Sequence, residues 1–100
     1  MTHERRGLRH ESDVLLRQLD GHLARLKARR EDHELAERIA CHLRLLIADT
    51  MRSSAVDRAR VRAAVHYFVV RPVHLGLWVV NDIFRDLGRH DLLIPEPALS

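Results

Sequence analysis

The stretch VHYFVVRPVHLGLWVVND, residues 65–82, decides how the fold is read. It is apolar enough to suggest a lipid anchor. Yet Arg71 and Pro72 break it near its middle, His66 and His74 flank the break, and Asn81 and Asp82 close it. A spanning helix needs about 20 consecutive, mostly apolar residues, and an arginine at its centre is costly. The stretch therefore reads as two helices meeting at a tight corner, because Pro72 cannot continue the hydrogen-bond ladder and restricts Arg71 before it. Helices apolar nearly all round belong in the middle of a fold, so each is expected to be buried on most of its circumference. Trp78 and Val79 fall outside the seam of Val73, Leu77 and Val80, which gives the second of these helices a further apolar face. That face is expected either to lie under the C-terminal tail or to serve as a docking surface.

Outward from the corner, the boundaries carry local signals. Ser54 followed by Asp57 has the capping-box pattern, so a third helix is expected to start there and run through Val61, Ala64, Val65 and Phe68 to about Val70. A fourth is expected from about Val73 to Leu87, with Leu77, Val80 and Phe84 on its seam and Gly88 as a left-handed cap. Leu92, Leu93 and Ile94 are expected to fold back over an open end before Pro95 and Pro97 stop any further helix. Upstream, Leu15, Leu19, Leu23 and Leu26 place a first helix from about Ser12 or Asp13 to Arg30, weakened at Gly21 by roughly 1 kcal/mol. Residues 1–11 lack periodicity and read as a mobile arm. Lys27, Arg29 and Arg30 suit the end of one helix dipole, and Glu31, Asp32 and Glu34 suit the start of another. The next stripe, Leu35, Ile39, Leu43 and Leu46, is about half a turn out of phase with the first. Both observations set a break near residue 31, although one long bent helix also fits.

Length and composition agree with this outline. One hundred residues fit one domain, able to bury roughly two thirds of its unfolded surface. With 46% apolar and 31% charged residues the chain is expected to fold, and only seven glycines and prolines argue against a sandwich or barrel. The expected fold class is all-α: a compact bundle of about four helices over residues 12–94 with a central helical hairpin bent at Pro72, followed by a tail, residues 95–100. Cys41 is the only cysteine, which excludes an intrachain disulfide and suits a reducing compartment. MTHERRGLRHESD, residues 1–13, lacks the apolar stretch of a secretory signal, so a cytoplasmic location is expected.

From Arg58 to Ile94 the order RVRAAVHYFVV, a proline corner, a glycine, then VVNDIFRDLGRHDLLIP resembles the YkvA-like family of small helical domains of unknown function. The resemblance rests on Ala64, Tyr67, Pro72, Gly76 and the ending LGRHDLLIP, and covers little more than a third of the chain. It implies a helical fold and no particular reaction. The family usually carries aspartates around the corner, whereas this chain has no acid between Arg71 and Asn81. The resemblance therefore brings no acid-dependent role to the corner.

Eight histidines invite a metal site, but no His-x-x-x-His or Cys-x-x-Cys pair occurs, and His22 and His33 straddle the break. Solvated or hydrogen-bonded histidines are expected, with no metal and no cofactor; His66 and His74 are expected to cap carbonyls or stay at the surface. Cys41 and His42 are neighbours, so on a helix they point about 100° apart and cannot pair as nucleophile and base. Cys41 reads as a small core residue. Asp82 and Asp86 lie one turn apart, but Arg85 and Arg89 are expected to neutralise that face. No phosphate loop and no nucleophile elbow appear, and no catalytic residue is assigned.

The charge pattern is less easily dismissed. Net charge is +3, and sixteen of the seventeen basic residues are arginine. Arginine suits bidentate phosphate or carboxylate contacts, although a coding bias yields the same count. Arg52, Arg58, Arg60 and Arg62 gather at the start of the third helix with only Asp57 opposing them, where positive charge is unfavourable. The acidic start of the second helix, an acidic partner protein or nucleic-acid phosphates could compensate. The expected function is a non-enzymatic protein-interaction module, for instance a small bacterial regulator, inhibitor or antitoxin-like binder. It would bind another protein or itself through Trp78, Val79 and Phe84, with Arg52, Arg58, Arg60 and Arg62 as a rim. An electrostatic nucleic-acid binder is the alternative.

Overall fold

The computed structural model describes residues 2–29 and 33–96, with side chains from residue 10 to 26 and from 33 onward. Four helices follow one another: α1, Thr2–Arg29; α2, His33–Thr50; α3, Ala55–Val70; and α4, Val73–Asp86. A short 3₁₀ turn, His90–Leu92, opens the tail. The all-α bundle expected from periodicity is the fold.

Local chemistry explains most of the boundaries. The Ser54 hydroxyl accepts a hydrogen bond from the Asp57 backbone N–H at 3.2 Å, satisfying one of the free donors at the start of α3. At the other end Arg71 is extended, and its N–H still donates to the Tyr67 carbonyl at 3.1 Å before Pro72 turns the chain into α4. Gly88 closes α4 with φ of 72°, and the N–H groups of Gly88 and Arg89 reach back to the carbonyls of Arg85 and Phe84. That paired pattern is a Schellman cap, and it requires the left-handed residue that glycine supplies without strain.

Cross-chain contacts set the topology. Asp20 of α1 meets Arg44 of α2 at 2.6 Å, and Glu11 of α1 meets Arg62 of α3 at 2.5 Å. His42 of α2 lies beside Phe84 of α4, and Asp49 beside Arg89. Neighbouring helices therefore run in opposite directions, up, down, up and down. The break set near residue 31 falls outside the described residues, but the helices on either side of it fold against each other as separate elements.

Each helix presents one apolar stripe to a common core. Leu15 and Leu19 come from α1, Ile39, Leu43 and Leu46 from α2, Val61, Val65 and Phe68 from α3, and Leu77, Val80 and Phe84 from α4. Burying a side chain of this size stabilises the fold by about 1.5–3 kcal/mol. Leu92 and Ile94 are also buried, so the tail folds back as expected. At Gly76 an added Cβ would lie 3.5 Å from the Phe68 Cα, so α3 and α4 approach closely just past the corner.

Three expectations need correction. First, α1 begins at Thr2, so residues 2–11, read as an arm, are continuous with the first helix. Second, α3 and α4 are not buried on most of their circumference: Tyr67, Val70, Leu75 and Trp78 are exposed. The core is shared instead, because α2 buries seven residues where α3 buries four, and one face of each helix suffices. Third, Cys41 is exposed. Its neighbour Ala40 holds the inward position, and a step of one residue turns the next side chain about 100° away. No helix among the described residues is long and apolar enough to cross a membrane.

Candidate functional site

Helix α4 buries Val73, Gly76, Leu77, Val80, Asn81 and Phe84. These lie on one face at about 100° per residue, and the opposite face carries Leu75, Trp78 and Asp82 at spacings of three and four. Leu75 is 55% exposed and Trp78 62% exposed. Val70, at the end of α3 beside the corner, is 54% exposed, and Tyr67 is also exposed. Arg71 stands between the two helices and Arg85 lies two turns beyond Trp78, both exposed. Arg85 donates to the Asp82 carboxylate at 2.9 Å. The face is thus an apolar strip with charged ends.

The tail explains why Trp78 is bare on one flank. The Asn81 amide donates to the Ile94 carbonyl at 2.8 Å and accepts from the Ile94 N–H at 3.0 Å. His42 adds a contact of 2.6 Å from Nδ1 to the Leu92 carbonyl. Arg89 holds both oxygens of Asp91 and one of Asp49, tying the turn to α2. The two carboxylates push the Arg89 pKa up, and the hydrogen bonds of Arg89 pull Asp91 below the usual carboxylate range. These contacts seat Leu92 and Ile94 on the Asn81 side of α4, and Trp78 stays outside them.

The residues expected to form the interaction site separate into three groups. Trp78 is exposed and Val79 half-buried, consistent with a surface position. Phe84 is not on the surface: it is 0% exposed, since it continues the Val73, Leu77 and Val80 stripe into the core. The arginines do not ring Trp78. They gather at the start of α3, a helix of about 24 Å, at the end away from the corner. There Arg62 is paired with Glu11, Arg58 donates to the Ser53 carbonyl at 2.7 Å, and Arg60 approaches Asp57 at 3.9 Å. Among the described residues it is therefore Glu11 of α1, and no acid of α2, that meets the cluster. Arg52 is exposed and has no ion pair among the described residues.

Leu75, Arg71, Asp82 and Arg85 were missed as members of the face. The signal was available in the spacing of Leu75, Trp78 and Asp82, but the longer inward stripe of Val73, Leu77, Val80 and Phe84 on the same helix masked it. Arg89 was expected to neutralise Asp82 and Asp86; past the cap its side chain turns instead to Asp49 and Asp91. Among the described residues no group of three or more histidines, cysteines or acids is placed to hold a metal ion. His66 and His74 are exposed, and the His66 ring lies edge-on to Tyr67 at 5.9 Å. Comparison with protein-family models, curated proteins and solved structures finds no match for this chain.

Proposed function

We propose that this chain is a protein-interaction module, of the small regulator, inhibitor or antitoxin-like kind, and that it binds through the outer face of α4. The observation that carries this reading is Trp78, 62% exposed on a helix whose other face is closed into the core. Leaving a tryptophan in water forgoes one of the larger apolar burials open to a chain, and exposed apolar patches with tryptophan are typical of association hot spots. Leu75, three residues before Trp78 on the same face, extends the patch, and Arg71 and Arg85 supply the charged edge.

Tagged wild type and Trp78→Ala, compared for association in sedimentation and co-purification, test the reading. The substitution is expected to weaken association at least about tenfold, while the thermal midpoint of the free chain stays close to wild type. Equal association by both proteins would remove Trp78 from the binding surface and the reading with it.

Arg52 and Arg60 favour a second reading, electrostatic binding of nucleic acid, since neither is held by a close ion pair among the described residues. Affinity for a DNA fragment that falls steeply with salt would support it, and no binding at low salt would exclude it.

A further inference from the structure

We propose that the occupant of α4's outer face is a second copy of this chain, packed antiparallel along α4 so that Leu75 of each copy meets Trp78 of the other and Arg71 meets Asp82. This rests on the reading of that face as a docking surface and names its partner. The face has a register of its own: Leu75, Trp78 and Asp82 are separated by three and four residues, the spacing of a coiled-coil seam, and Arg71, extended before Pro72, stands exposed at the corner where α4 begins. In an antiparallel pair whose two-fold axis passes midway between Gly76 and Leu77, Leu75 stands level with Trp78 of the second copy. Asp82 of the second copy then lies at the corner end of α4, where the Arg71 side chain is exposed. The two apolar layers fall in the middle and an opposite-charge pair closes each end.

Charge selects this arrangement over its rivals. The start of the face carries Arg71, and its end carries Asp82 and Asp86 against Arg85, so the ends have opposite net sign. An antiparallel copy matches them, and a parallel copy would set Arg71 against Arg71 and Asp82 against Asp82. Antiparallel helix dipoles favour the same choice. Asp82 already accepts from Arg85 at 2.9 Å, and a carboxylate has room for a second guanidinium. Arg71 is exposed and has no ion pair among the described residues. A self-complementary patch of this kind is what a two-fold interface requires.

Sedimentation across a range of concentrations, on wild type, Leu75→Glu, Asp82→Arg and the double variant Arg71→Asp/Asp82→Arg, tests the pairing. All three positions are exposed, so circular dichroism is expected to show intact helices throughout. Wild type is expected to form a dimer that separates on dilution, and Leu75→Glu to remain monomeric. Asp82→Arg should raise the dissociation constant about tenfold by facing two arginines, and the double variant should recover most of that loss. A dimer unaffected by Leu75→Glu, or a double variant no better than Asp82→Arg, would overturn the register. Wild type that stays monomeric would overturn self-pairing. In that case, loss of a co-purified partner on Trp78→Ala would leave the docking reading standing. A monomer whose tryptophan emission shifts to the red on removal of residues 97–100 would end both, because the chain's own terminus would then cover the face.

Discussion

Asn81 shows how one polar side chain can decide what the surface of α4 looks like. It is 7% exposed, and its amide pairs with both backbone groups of Ile94, thirteen residues along the chain. An extended tail buried against a helix has backbone donors and acceptors that need partners, and this amide supplies one of each. Asn81→Ala would leave the Ile94 groups unsatisfied at a site where Ile94 itself is 2% exposed. A loss of about 1–3 kcal/mol is expected in denaturant unfolding, together with faster hydrogen exchange at the Ile94 amide. Unchanged exchange would mean that the amide does not hold the tail. In the sequence Asn81 reads only as the polar end of an apolar run, because nothing local announces a partner in a non-helical tail. Ser54 and Gly88 were readable for the opposite reason: a cap is made with residues three to five positions away, so its chemistry is local. Phe84 was on the inward seam by its own spacing and was wrongly counted with the surface residues, whereas Cys41 was misplaced by a different failure. Hydrophobicity says that a residue prefers burial, and only the phase of the helix says whether it is granted.

Helix α1 was the least readable element, and it carries His22, a buried titratable group with an orphaned nitrogen. Its start was missed because apolar periodicity begins only near Val14, and a helix can continue without an apolar face when its charges find partners such as Arg62 for Glu11. Within the stripe, His22 rather than leucine takes an inward position. The ring stands edge-on to Phe68 of α3, centroids 5.0 Å apart, and its Nε2 is buried with no hydrogen-bond partner. Burial, and then the nearby Arg25 guanidinium, hold the His22 pKa below its ordinary 6.5. The sign follows directly. Well above 6.5 the imidazole is neutral in folded and unfolded chains alike and contributes no pH dependence. As pH falls below 6.5 the unfolded chain takes up a proton that the folded chain refuses, so stability drops until the folded pKa is passed and then levels off. Urea unfolding of wild type from pH 7.5 to 5 should show this decline, and His22→Leu should flatten it. An equal slope in both proteins would place the titration elsewhere. The two helices around Pro72 were far easier to read, since proline, the Ser54 cap and Gly88 each mark a boundary within a turn of where it falls.

The bundle as a unit explains what the opening stretch is for. Its apolar residues are divided between two jobs: Val65, Phe68, Leu77 and Val80 close the core with α1 and α2, while Val70, Leu75 and Trp78 face outward. Composition could not make that division, because both sets are equally apolar and share the same helices. The arginine rim was misread at this level too, since the charges at the start of α3 lie at the opposite end of that helix from the corner and are partly consumed by Glu11 and the Ser53 carbonyl. The most direct measurement is denaturant unfolding of Phe84→Ala and Trp78→Ala, two aromatic residues six positions apart on α4, at a dilution where the chain is not associated. Phe84→Ala is expected to lose about 3–5 kcal/mol and Trp78→Ala to stay within about 0.5 kcal/mol of wild type. Comparable losses from both would show that Trp78 is part of the core, and the outer face of α4 would no longer be available to a partner.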